Sequence, residues 1–241
     1  MNRKIKRVLF SEEILSSYEN MSKTIDHSLL QPNLTIQEII DGCEVAIKYN
    51  TAAVLVHPND VKLAYKIVKD TTVKVGSGVG FPHGRNLTKT KVFETKSAIK
   101  NGAEEIDMVI NVGLIKSQMF KEAEKDIAAV VEAADGRVVK VILENSYLGY
   151  SEKIRACKII ESAGAHFVKT ASGYAPGGAT LEDVALMKTS VSEKMQVKAA
   201  GGIRTLDSLI EYVNIGVTRI GATATRAILD EYRLRNNLPE L

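Results

Sequence analysis

The sequence has no apolar run approaching the ~20 residues that a bilayer-spanning helix needs. Nor does the apolar core of a secretory signal follow its basic start. These absences predict a soluble, cytoplasmic chain. Cysteine is scarce: Cys43 and Cys157 stand far apart on predicted helices, in neither a metal-binding nor a redox spacing. That excludes a disulfide scaffold and predicts reduced thiols that serve packing. Neither sign of charge dominates, since 32 basic and 29 acidic side chains leave a net +3. Apart from the short run Asn2–Arg7 the charges are scattered. Nucleic acid and membrane surfaces therefore have no footprint, and the run reads as a solvated terminus. No linker or low-complexity stretch divides the chain, so residues 1–241 are expected to form one domain, with 1–20 as an extension carrying a short helix. His57 and His83 follow neighbouring predicted strands, but no carboxylate or cysteine completes a ligand set. No metal and no cofactor are expected.

What the sequence does have is an alternation of short apolar runs and amphipathic helices. After a helix near Phe10–Asn20, strands are predicted at Thr24–Leu29, Ala52–His57, Lys74–Phe81, Glu105–Asn111, Val138–Leu143, the stretch from Phe167, Gln196–Ala200 and Thr218–Ala222. Helices are predicted at Ile36–Tyr49, Asn59–Lys69, Thr88–Lys100, Ser117–Ala134 and Ser151–Ala163, then from Thr180 to Val191, from Thr205 to Asn214, and up to Arg235. Thr35 with Glu38 forms a capping-box signature at the first of these. Continuous apolar strands separated by helices indicate a parallel sheet covered by helices. Eight such units in ~220 residues point to a single (β/α)8 TIM barrel with a short extra N-terminal helix. Gly76–Gly80 is glycine-rich but does not open a helix in the dinucleotide-binding manner.

In such a barrel the chemistry gathers at the C-terminal ends of the strands. The polar residues in or just after the strands are Asp26, His27, His57, Asp107, Asn111, Lys140, Glu144, Lys169, Lys198 and Arg204. A lone strand lysine can simply point outward with its tip in solvent. Lys169 and Lys198 on adjacent strands, with Asp107 on strand four, suggest more. Burial and a like-charged neighbour both disfavour an ammonium, which leaves part of Lys169 as a neutral nucleophile able to form an imine. Asp107 is placed to move protons, and Asp26 to orient Lys198 through a charge-assisted hydrogen bond. Lys140 and Glu144 belong either to the same network or to outward ion pairs. His27 is expected to hydrogen-bond within the end of strand one.

The segments Ile25–Leu30, Val79–Gly84, Glu105–Gly113, Phe167–Thr170 and Val197–Thr205 resemble those of the deoxyribose-phosphate aldolase family, in order and over nearly the whole chain. The resemblance implies a metal-independent Schiff-base lyase on a (β/α) barrel. Such an enzyme interconverts 2-deoxy-D-ribose 5-phosphate with acetaldehyde and D-glyceraldehyde 3-phosphate, and a homo-oligomer, dimer or tetramer, is implied as well. It implies Lys169 as the imine-forming residue, Lys198 as its pKa-lowering neighbour and Asp107 as the proton relay; Asp26 and Lys140 are expected, from their places on the strands, to support them.

The phosphate is expected on backbone N–H groups after strands six to eight, at Gly173, Gly201, Gly202, Gly221 and Thr223. The alternative is that these glycines serve only turns and close packing. The family's last motif usually carries two adjacent small hydroxyl residues; here Thr223 keeps one and Ala224 loses the other. An unphosphorylated or different aldehyde substrate is therefore an alternative. Two further readings stay open: another imine-forming barrel enzyme of transaldolase or dehydratase type, and a non-catalytic sugar-phosphate binder.

Overall fold

The computed structural model describes residues 11–241. Eight parallel strands close into one barrel in chain order: β1 (Ile25–Leu29), β2 (Ala53–Val56), β3 (Lys74–Val79), β4 (Glu105–Val109), β5 (Val138–Ile142), β6 (Phe167–Lys169), β7 (Gln196–Ala200) and β8 (Arg219–Ala222). The expected (β/α)8 architecture is present, and β8 pairs back onto β1 through Asp26 and Gly221. Among the described residues no helix is long and apolar enough to cross a membrane. The run Asn2–Arg7, and the start of the helix expected at Phe10, lie outside the described residues.

Alternation along the strands divides the sheet into two faces. On β4, Ile106 and Met108 join the apolar core; on β5, Val139 and Val141 do the same. Each such side chain contributes about 1.5–3 kcal/mol of burial. The residues between them, Glu105, Asp107 and Lys140, are also buried but face the barrel interior. The helix ring thus seals the sheet from outside, while its inner face carries charge.

Several helix starts follow local chemistry. Thr35 caps the helix Ile36–Lys48 with the expected capping box: the Thr35 N–H donates to Glu38 Oε2 at 2.7 Å and the Glu38 N–H to Thr35 Oγ1 at 3.3 Å. Thr180 and Thr205 cap Leu181–Ser190 and Leu206–Ile215 by accepting from the Asp183 and Ser208 N–H groups, without the reciprocal bond. Three expectations are corrected. The N-terminal helix is broken, with residues 11–15 helical and a second helix at Tyr18–Ser22, because Ser17 accepts from the Asn20 N–H and caps a new start. The helix expected at Ser117–Ala134 begins only at Phe120 and runs to Ala133, and a further short helix, Val112–Lys116, precedes it, with Gln118 at φ 58 between the two. Asn111 ends no strand; its side chain accepts from the Leu114 N–H and caps the first of these two.

One ion pair outside the barrel anchors β4. Lys91 Nζ, on the helix Thr88–Lys100, lies 2.6 Å from Asp126 Oδ2 on Phe120–Ala133 and donates to the Val109 carbonyl at 3.0 Å. Thr88 Oγ1 donates to the other Asp126 oxygen at 2.7 Å. Burial lowers the Lys91 pKa, and Asp126 opposes that shift. Asp126→Asn leaves a buried ammonium without its counter-charge and is expected to cost about 3–5 kcal/mol in urea unfolding. The double change Lys91→Met with Asp126→Leu should recover most of that loss. A loss under about 1 kcal/mol for Asp126→Asn would show that the pair does not hold these helices to β4.

Candidate active site

Seven charged side chains meet inside the barrel. Their positions follow from register: Asp107 lies beside Lys140, Lys169 beside Lys198, and Lys198 beside Arg219 on successive strands. Lys169, the last residue of the three-residue β6, reaches Asp107 Oδ2 with its Nζ at 2.7 Å. Lys198 Nζ donates to the same oxygen at 2.7 Å and also to Asp26 Oδ2. Lys140 Nζ donates to Asp26 Oδ2 at 2.9 Å and to Glu105 Oε2. It lies 3.1 Å from Asp107 Oδ1 but is not aimed at it, so that buried oxygen accepts no hydrogen bond. Arg219 spans Asp26 Oδ1 and Glu105 Oε1 with its two terminal nitrogens. Lys140 is therefore inside the network rather than in an outward pair. Lys169 lies at the C-terminal end of its strand and is 2% exposed; Arg219, at the start of β8, is the most accessible of the seven, with 13% of its side chain exposed.

Charge counting shows what this arrangement does. Asp26, Glu105 and Asp107 supply three carboxylates against four bases, Lys140, Lys169, Lys198 and Arg219. Fully ionised, the cluster carries one uncompensated positive charge away from water, which is costly. Releasing one proton balances it. Burial drives the Lys198 pKa down to about 8; Asp107 and Asp26 oppose that, and Lys140 and Lys169 add to it. Lys140 moves the other way, because Asp107, Asp26 and Glu105 outweigh its burial and hold the proton on. Burial alone would raise the Asp26 and Asp107 carboxyls. The cations around them prevail, Arg219, Lys140 and Lys198 at Asp26 and the three lysines at Asp107, so both stay well below the usual range.

A cleft of about 440 Å³ opens over β3 to β6, with Pro82, His83, Val109, Glu144, Ser172 and Tyr174 in its wall. Val109, Glu144 and Ser172 follow Asp107, Lys140 and Lys169 by two to four residues in the chain, the last two just beyond the ends of β5 and β6. Glu144 is buried but bonds to Ser172 rather than to the cluster.

The five residues expected at a phosphate divide. Gly173 (φ 90) and Gly202 (φ 82) face open space. Gly201 is engaged elsewhere: its carbonyl accepts from the Ala179 N–H at 3.0 Å, folding the loop after β6 onto that after β7. Gly201 and Gly202 lie ahead of the Thr205 cap and not at a helix start. Gly221 is within β8, where a Cβ would sit 3.4 Å from Lys198 Cε and 2.9 Å from Ala200 Cβ, so its small size makes room for the lysine. Thr223 is exposed, two residues before the last helix, Thr225–Arg235.

His27 corrects another expectation. Its Nδ1 pairs with Thr225 Oγ1 at 2.8 Å, across to that last helix, and burial lowers its pKa to about 4. His57 Nε2 is engaged by the Leu30 carbonyl at 2.8 Å. Arg204 is exposed. Among the described residues no three His, Cys, Asp or Glu side chains are grouped as metal ligands. Sequence reasoning passed over Glu105 and Arg219. The available signal was period two, since Glu105 shares a face with Asp107 and Arg219 with Gly221.

The lowered Lys198 pKa has a consequence for stability. The unfolded chain keeps that proton up to about 10.5, while the folded protein sheds it above about 8. Between those values the unfolded state binds more protons, so this group's contribution to stability rises with pH from about 8 to about 10.5. The full rise is on the order of 3 kcal/mol. Lys198→Met should flatten that rise relative to wild type in denaturant titrations across the window; an unchanged slope would refute the shift.

The chain is similar over most of its length to known aldolases. Residues 20–230 match the family model described as DeoC/LacD family aldolase. The chain is 49% identical over 220 residues to the deoxyribose-phosphate aldolase of Caldanaerobacter subterraneus, covering 90% of this chain and 95% of that protein. It is also 49% identical over 205 residues to the enzyme of the same name from Staphylococcus epidermidis, covering 85% and 93%. Among solved structures, the aldolase QR15 superposes with a TM-score of 0.87 at 37% identity, covering 91% of this chain and 98% of that one. The tetrameric deoxyribose phosphate aldolase of Aeropyrum pernix gives 0.85 at 26% identity, covering 94% and 97%. Matched along nearly its whole length in both sequence and fold, the chain belongs to the DeoC/LacD family of aldolases.

Proposed function

We propose that this chain is a class I aldolase that reversibly cleaves 2-deoxy-D-ribose 5-phosphate to acetaldehyde and D-glyceraldehyde 3-phosphate. Relatives close to it in sequence and length carry that name. The observation that carries the reading is a pair of buried lysines on one carboxylate oxygen, in a cluster with one base more than its acids.

In this reading Lys169 is the nucleophile, since it lies at the strand end nearest the mouth. As a neutral amine it adds to the aldehyde carbon of the open-chain sugar, and loss of water, with one proton taken up from the neighbouring Lys198 ammonium, leaves a protonated imine. The proton of the hydroxyl on sugar carbon three then passes to Asp107, whose Oδ1 has acceptor capacity to spare, directly or through water. The bond between carbons two and three breaks, its electrons enter the imine, and glyceraldehyde 3-phosphate leaves. The resulting enamine takes a proton at its terminal carbon, and hydrolysis releases acetaldehyde and the free lysine. Lys198 is the second amine of the proton pool. Asp26 and Lys140 hold it and Asp107 in place. The phosphate end lies over the loops after β6 to β8, where Gly173 and Gly202 leave the backbone open and Thr223 supplies a hydroxyl, with Gly201 and Gly221 shaping the floor. Ala224, without a hydroxyl, favours a weaker phosphate preference as the alternative. We place the protein in the cytoplasm as a homo-oligomer: both cysteines are free and buried, and a relative is tetrameric.

Borohydride reduction in the presence of acetaldehyde should leave an ethyl group on Lys169, located by peptide mapping. Lys169→Ala should lose that adduct and at least about a thousandfold in kcat/KM. An adduct on another lysine would reassign the nucleophile, and no adduct would end the imine reading. Comparison of deoxyribose with its 5-phosphate decides the substrate: a strong preference for the phosphate supports the assignment, and equal turnover supports the alternative.

A further inference from the structure

Glu144 combines two unfavourable features beside the reactive lysine. Its backbone is left-handed, with φ 56 and ψ 64, a region that a glutamate rarely occupies. Its carboxylate is buried without a cation. Among the described residues the other buried acids, Asp26, Glu105, Asp107 and Asp126, each make an ion pair. Glu144 is satisfied by Ser172 instead: the Ser172 N–H lies 3.2 Å from each carboxylate oxygen, and the Ser172 hydroxyl donates to Oε2. A left-handed backbone and an unpaired buried charge persist only where the surroundings enforce them, and such residues cluster at functional sites.

The turn has a definite effect. The Leu143 N–H donates to the Lys169 carbonyl at 2.9 Å and the Asn145 N–H to the Thr170 carbonyl at 3.1 Å. The β5–β6 ladder thus continues past Glu144 on both sides while the Glu144 side chain swings onto the chain leaving β6. Ser172 Oγ also accepts from the Tyr174 N–H at 3.1 Å. Tyr174 in turn donates its hydroxyl to the Leu30 carbonyl after β1, and its ring meets Phe81 edge-on at 5.4 Å. Thr170 exchanges two bonds with the Ala200 backbone at the end of β7, at 2.8 and 2.9 Å. The segment 170–174 is therefore fixed at β7 by Thr170, at β5 by Glu144 and at β1 by Tyr174. Glu144, Ser172 and Tyr174 all stand in the wall of the cleft.

We propose that Glu144 is a positioning residue for the aldol reaction, setting through Ser172 the course of the segment that leaves Lys169 and walls the cleft. This rests on the lysine-imine reading. Glu144→Gly tests it well, because glycine accepts the left-handed backbone while removing the carboxylate. The thermal midpoint should stay at or above wild type. KM for the sugar phosphate should rise about tenfold, with kcat falling less than about threefold. Ser172→Ala should give the same split, and the double variant should add little to either. Glu144→Gln, whose amide oxygen still accepts from Ser172, should restore most of the KM. Trapping of acetaldehyde on Lys169 should persist in every variant. Wild-type KM and kcat in both Glu144→Gly and Ser172→Ala, or fully additive effects in the double variant, would overturn the proposal. Absence of trapping in the wild type would instead strike the imine reading, and so separates the two failures.

Discussion

One carboxylate oxygen, Asp107 Oδ2, accepts a hydrogen bond from each of two lysines that lie 62 and 91 residues further along the chain. The rest of the structure serves that contact. It requires β4, β6 and β7 to face a common interior, which only a closed sheet provides. It also requires water to be kept out, since a charge imbalance of one unit has little consequence in a high dielectric and a large one in a low dielectric. The helix ring provides that exclusion. Its apolar core lies against the outer face of the same strands whose inner face carries the charge.

The supporting parts are arranged by distance from that oxygen. Arg219 and Glu105, at the first residues of β8 and β4, balance charge at the base of the barrel. Asp26 and Lys140 fill the middle. Beyond the sheet, Lys91 and Asp126 bind two helices to the carbonyl of Val109, where β4 delivers its chain to the cleft. At the mouth, Thr170, Glu144 and Tyr174 tie the segment after Lys169 to three other strands. Rigid elements therefore hold each charged group of the cluster in place, an arrangement of the kind that electrostatic preorganisation needs.

Much of this was legible in the sequence, and what was missed has identifiable causes. Capping residues such as Thr35, Thr180 and Thr205 act within a few residues, so their helices could be placed closely. Lys169, Lys198, Asp107 and Asp26 stood out as charges in apolar runs. Arg219 did not, because an arginine at a strand start normally faces solvent; here a barrel interior with two carboxylates recruits it. Gly221 read as an anion-binding glycine, yet its neighbours are Lys198 and Ala200. The break at Gln118 and the bond from His27 to Thr225 also escaped, since a left-handed residue other than glycine and a contact across 198 residues leave no local trace.

The order of strands and helices, the caps, and the presence of charged residues on a buried sheet were properties of the sequence alone, because periodicity and turn chemistry operate over a few residues. Which face each charge takes and which acid partners which base were decided only by closure of the barrel. Those outcomes depend on distances of a few ångströms between residues far apart in the chain, and on the exclusion of water that arises once all eight strands have met.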